Sequence, residues 1–114
     1  MQKYETVASH VTVVMEINTH HHQGNCDITL SGQFTFNDHP AFREILQLMS
    51  DEAISKIVLH MAKVRFVDSA ALGMLLLALD EAGKTQTQLV ISGVTGQVKK
   101  MFEMARFNTL FTMN

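Results

Sequence analysis

The stretch RFVDSAALGMLLLALDEAG, residues 65–83, constrains the fold more than any other. It opens as a strand, with Phe66 and Val67 closing an apolar run rich in β-branched residues. It then turns to Ala, Leu and Met, which are strong helix formers. Asp68 and Ser69 stand at the change. Both residue types are favoured helix N-caps, because a short side-chain oxygen accepts a backbone N–H that a helix start leaves open. No Glu or Gln follows at the third position, so there is no capping box. The stretch therefore reads as a strand handing over to a helix with almost no loop, the helix running to about Ala82 with Gly83 as its stop.

The flanks repeat the alternation. Upstream, residues 54–62 (ISKIVLHMA) form a strand rich in Ile and Val, and VRFV at 64–67 continues it or starts a short new one. Downstream, residues 87–94 form a strand and TGQVKKMFEMARF a helix, with Val98, Met101, Phe102 and Ala105 on one face. TLFTM can add a last short strand. Before all of these, residues 11–17 (VTVVMEI) predict a strand, 18–25 a turn, and CDITLSGQF a half-buried strand in which Cys26, Ile28 and Leu30 alternate with Asp27, Thr29 and Ser31. A helix follows, capped by Asn37 or Asp38, with Pro40 in its first turn and Ala41, Ile45, Leu48 and Met49 on one face. Strands alternating with helices imply parallel, right-handed crossovers, and the leading hairpin makes the sheet mixed. The fold class is α/β, with a small mixed sheet of four to five strands and three or four helices.

A chain of 114 residues suits one domain, 1–114, and 46% apolar residues supply its core. The formal charge is −2 and the basic residues are scattered, which argues against nucleic acid as a partner. Cys26 is the single cysteine, so no internal disulfide can form and a reducing, cytoplasmic setting is expected. The first residues carry no long apolar run of the signal-peptide kind. The most apolar stretch, residues 70–79, spans ten residues against the ~20 of a membrane helix, so no membrane insertion is expected.

Two features could carry chemistry. At the first, Asp68 is the cap and Ser69 becomes the first helical residue, with its hydroxyl in the open at a positive helix end. A phosphate there is tolerated by the helix but adds about −1.5 to −2 charges beside a carboxylate, and a partner docked on this surface would lose contact. The helix that follows has no polar residue over 70–79, so some of Ala71, Met74, Leu75 and Ala78 are expected at the surface. Gly73 lowers helix propensity and can admit a close backbone approach. The second feature is His20, His21 and His22. Adjacent strand residues alternate faces, so the three cannot share one ion, and no second cysteine or carboxylate pair joins Cys26; no metal and no cofactor are expected. Enzyme motifs are lacking: SGVTG at 92–96 is too short a glycine signal for nucleotide binding, and Ser69 as a nucleophile would need a base, for which His60 is nearest in sequence.

Taken together, FVDSAALG, ITLSGQF, KIVLHMAKVRFVDSAALG and LVISGVTGQVKKMFEMARFNTLF resemble the STAS domain, the family of anti-sigma factor antagonists and their relatives. The resemblance covers most of the chain. It implies a mixed sheet with helices mainly on one face, and a protein that is a binding switch and not an enzyme. It also implies a serine protein kinase of the anti-sigma type as partner, phosphorylation of Ser69 that releases that partner, and a phosphatase that resets the switch. The partner surface it implies is Asp68, Ala70, Ala71, Leu72, Gly73 and Met74. Ala70 and Ala71 replace the hydroxyl residue and Gly that often follow the serine, and Gln33 and Thr35 stand where acidic residues are common. Two other readings stay open: a constitutive, never phosphorylated subunit of a transporter or signalling complex, and a small-molecule or metal sensor built on His60 or the histidine turn.

Overall fold

The computed structural model describes residues 15–114. Among them, five strands form one mixed sheet: β1 (Glu16–His22), β2 (Asn25–Phe34), β3 (Lys56–Val67), β4 (Gln88–Ser92) and β5 (Thr112–Met113), side by side in that order. β1 pairs with β2 antiparallel, and the other neighbours are parallel. A short 3₁₀ turn (Phe36–Asp38) leads into α1 (His39–Leu48); α2 (Ser69–Thr85), α3 (Gly96–Met104) and α4 (Phe107–Leu110) complete the helices. The anticipated mixed α/β fold is what the chain adopts.

One face of the sheet holds the core. Cys26, Ile28 and Leu30 of β2, Ile57, Leu59 and Met61 of β3, and Leu89 and Ile91 of β4 point to it. The helices close over them with Phe42 and Ile45 of α1, Ala71, Leu75, Ala78 and Ala82 of α2, and Val98 and Phe102 of α3, all in one cluster. Phe34 stacks on Phe42 with centroids 5.1 Å apart, and Phe102, Phe107 and Phe111 form a second aromatic row. After Met61 the inward residues of β3 are Val64 and Val67, so the period of two breaks. Two register shifts against β2, at Thr29/Ser31 and Gly32/Gln33, account for it, because each bulge adds a residue to β3. VRFV thus continues the preceding strand.

Three sequence expectations change. The first strand and turn were expected at 11–17 and 18–25; β1 instead runs Glu16–His22, and residues 11–14 lie outside the described ones. His20, His21 and His22 are therefore strand residues. The turn is only Gln23–Gly24, both at positive φ (51° and 84°), the left-handed pair that matches a two-residue hairpin to the strand twist. Gly83 does not end α2; the helix continues to Thr85 and stops where Gln86 adopts φ 59°. Finally Ala71, Met74, Leu75 and Ala78, expected in part at the surface, are all buried. The sheet takes that side of α2, and Leu76 and Leu77 face outward at 42% and 57% exposure.

Candidate functional site

β2 and β3 run parallel, so their C-terminal ends lie side by side and deliver two loops to one place. From β3, a single residue, Asp68, joins Val67 to α2. Its backbone is extended (φ −103°, ψ 178°), as an N-cap requires, and its side chain takes the Ala71 N–H on Oδ1 at 2.8 Å. Its other oxygen reaches across to the β2 loop, where the Phe36 N–H donates to Oδ2 at 3.1 Å. The Asp68 N–H donates back to the Phe34 carbonyl at 3.3 Å. One carboxylate therefore fixes both the start of α2 and the neighbouring loop.

The β2 loop has its own frame. Asp38 is buried, and its Oδ2 accepts the Thr35 N–H at 2.8 Å while Oδ1 accepts the Met15 N–H at 3.1 Å. Thr35 Oγ1 accepts the Asn37 N–H at 3.3 Å. Asp38 and Thr35 hold the turn from inside, so Phe36 projects outward and is 67% exposed. Sequence reasoning missed Phe36: a lone aromatic between Thr35 and Asn37 belongs to no apolar period, and it is the tie of its N–H to Asp68 that joins it to the start of α2.

Ser69 is the first residue of α2 and is exposed. Among the described residues no side chain is hydrogen-bonded to its hydroxyl. The implied partner residues divide between the two sides of the helix. Gly73 is exposed, with open space where a Cβ would stand, and Asp68, Ala70 and Leu72 are half-buried. Ala71 and Met74 are buried and cannot touch a partner in this conformation. Leu72 instead joins Met101 and Met104 of α3 and Ala105 at its C-cap around a shallow apolar cleft, and Leu76 lies one turn further along α2.

The histidines lie elsewhere. β1 alternates, so His20 and His22 share one face and sit 5.4 Å apart, while His21 approaches Cys26 Sγ at 3.9 Å. On the sheet face turned away from the core, Asp27 holds two imidazoles, His22 Nε2 at 2.8 Å and His60 Nε2 at 2.9 Å. These contacts, His60 first and then His22, keep the Asp27 carboxyl below the usual carboxylate range. Burial, and then the Asp27 charge, push the Cys26 thiol up. No group of three or more potential ligands among the described residues is arranged to hold a metal ion. His60 turns its Nε2 to Asp27, so the base that a nucleophilic Ser69 would need is not supplied by it. Among the described residues no helix is long and apolar enough to cross a membrane.

Comparison with known proteins agrees with this geometry. A family model described as "Mlab, STAS domain" matches residues 17–112. A STAS-domain containing protein of Pseudomonas aeruginosa is 30% identical over 87 residues, covering 76% of this chain and 85% of that one. An anti-sigma-B factor antagonist of Staphylococcus epidermidis is 23% identical over 100 residues, 88% of this chain and 93% of its own. Among solved structures, an anti-sigma factor antagonist from Mycobacterium paratuberculosis superposes with a TM-score of 0.77 at 15% identity, covering 90% of this chain and 86% of that one. That last likeness is one of fold.

Proposed function

The chain belongs to the STAS family, and on that premise we propose that it is a non-enzymatic, cytoplasmic switch that binds a protein partner through the Ser69 end of α2. The partner class is a serine protein kinase of the anti-sigma type. In the unmodified state the partner seats on Ser69, Ala70, Gly73 and the half-exposed Leu72. The kinase transfers the terminal phosphoryl group of a nucleoside triphosphate: the Ser69 Oγ–P bond forms, the β–γ bridging P–O bond breaks, and the hydroxyl proton leaves. The partner then dissociates, and a phosphatase hydrolyses the ester to reset the switch.

The observation that carries this reading is the division of labour between two neighbours. Asp68 supplies the cap of the helix, and Ser69 stands exposed at N1. A phosphate at that position meets the positive end of α2, so the helix tolerates it. A partner surface pressed on the same spot does not, because a dianion and its hydration would have to be buried. Gly73, one turn on, keeps the approach to the helix backbone open. The test is to incubate the chain with an extract of its native cell and a nucleoside triphosphate and to map the phosphate by mass spectrometry. Modification at Ser69, abolished in Ser69→Ala, is expected; modification confined to another residue overturns the reading.

The exposed Leu76, Leu77 and Met104 favour a second reading, in which the chain is a permanent subunit seated through exposed apolar side chains. Ser69→Ala separates the two. It is silent for a constitutive subunit and locks a switch in its bound state.

A further inference from the structure

The Asp68 carboxylate does more than cap α2. We propose that it is a two-headed latch that holds the exposed Phe36 loop against the start of α2, and that phosphate on Ser69 opens the latch at Phe36. Phe36 is then part of the partner surface in the unmodified state and is released from position in the modified one. The proposal rests on the reading of Ser69 as the modified residue.

The geometry makes the two heads unequal. The bond from the Ala71 N–H is 2.8 Å long and half-buried, whereas the bond from the Phe36 N–H is 3.1 Å and exposed. The remainder of the loop hangs on Asp38 and Thr35, so its inner frame survives without Asp68. The exposed Phe36 ring lies 6.5 Å, centroid to centroid, from that of the neighbouring His39. Among the described residues, the Asp68 oxygen is what ties its N–H to the α2 side of the site.

A phosphate at Ser69 changes the electrostatics of that oxygen. It brings about −1.5 to −2 charges next to the carboxylate, while a helix end supplies only about +0.5. The two anions then compete for the same helix-end donors. The carboxylate keeps the shorter, half-buried bond to Ala71 and swings its second oxygen away from the phosphate. The exposed bond to Phe36 is the one that breaks. The aromatic anchor and the new charge thus act in one direction, since the phosphate repels the partner and the anchor loses its fixed place.

The experiment uses the full chain, ¹⁵N-labelled, with phosphoserine installed at position 69 by genetic encoding. NMR reads the water-exchange rate and the ¹⁵N order parameter of the Phe36 and Ala71 amides. In the phosphoprotein the Phe36 amide is expected to exchange about two- to threefold faster, the loss of one exposed hydrogen bond, with a lowered order parameter. The Ala71 amide stays protected. Asp68→Asn, in which an NH2 that cannot accept replaces one of the two accepting oxygens, is expected to free Phe36 and keep Ala71. Asp68→Ala frees both. An unchanged Phe36 amide in the phosphoprotein overturns the proposal, and so does an unchanged Phe36 amide in both Asp68 variants. Because the phosphoserine is genetically encoded, these rates do not depend on whether the cell modifies Ser69. A cell that never does so defeats the proposed function and leaves the latch standing.

Discussion

Replacing Asp68 by Ala tests how the site is built. The change removes the acceptor of two backbone N–H groups, from Ala71 at 2.8 Å and Phe36 at 3.1 Å. Loss of an N-cap costs about 1 kcal/mol within a range of 0.5–2. The Phe36 N–H is exposed, so water replaces its partner and the further cost is small, about 0.5 kcal/mol, the low end for a hydrogen bond. The sum is about 1–2.5 kcal/mol. For a domain of this size each kcal/mol lowers Tm by roughly 4 °C, so Asp68→Ala should melt about 4–10 °C lower. Asp68→Asn should lose less than half as much, because Asn caps a helix about as well as Asp. Thermal unfolding followed by circular dichroism, with urea midpoints as a check, reads both. An Asp68→Ala protein that melts with the wild type would refute the cap. An Asn variant as damaged as the Ala variant would show that the charge, and not the cap, carries the effect.

Other outcomes follow from the same geometry. Leu75→Ala, at a fully buried position, should cost about 2–5 kcal/mol, whereas Leu77→Ala, 57% exposed, should stay within about 0.5 kcal/mol; equal costs in urea titrations would mean that α2 packs on a different face. Gly73→Ala should stabilise the free chain by up to about 1 kcal/mol, since the added Cβ meets nothing within 4 Å, and should at the same time weaken partner binding if the bare backbone serves a close approach. The Asp27 carboxyl lies below its ordinary value of 3.8 in the folded chain, so its contribution is present above that value and is lost as pH falls through the depressed one. Asp27→Asn should therefore flatten the fall in urea midpoint below about pH 4, and an unchanged acid slope would remove the role given to His60 and His22.

Much of the fold is legible in the sequence because burial writes a period. Cys26, Ile28 and Leu30 alternate, and they are the residues β2 turns to the core. β1 is hard to read for the opposite reason. It is an edge strand, almost wholly exposed, and its residues Asn18 to His22 carry turn-forming and polar side chains. It is extended because β2 pairs with it, a tertiary effect that outweighs local preference. α2 shows a second limit. An all-apolar run has no polar stripe to mark its outer face, so the period alone does not tell Ala71, Met74, Leu75 and Ala78 from Leu76 and Leu77. The sheet decides, taking the small residues Ala71, Ala78 and Ala82 where the helix approaches closely. In the site, Asp68 and Ser69 are visible as a strand-to-helix junction. Phe36 is not, because its place depends on a contact 32 residues away along the chain.

The central claim is that Ser69 controls attachment. Its most direct measurement is the affinity of the purified serine-kinase partner, by calorimetry, for the unmodified chain and for the chain carrying phosphoserine at 69. The account predicts tight binding of the first and at least about a hundredfold weaker binding of the second, since burying an unpaired dianion at an interface costs several kcal/mol. Equal affinities for the two forms would contradict it.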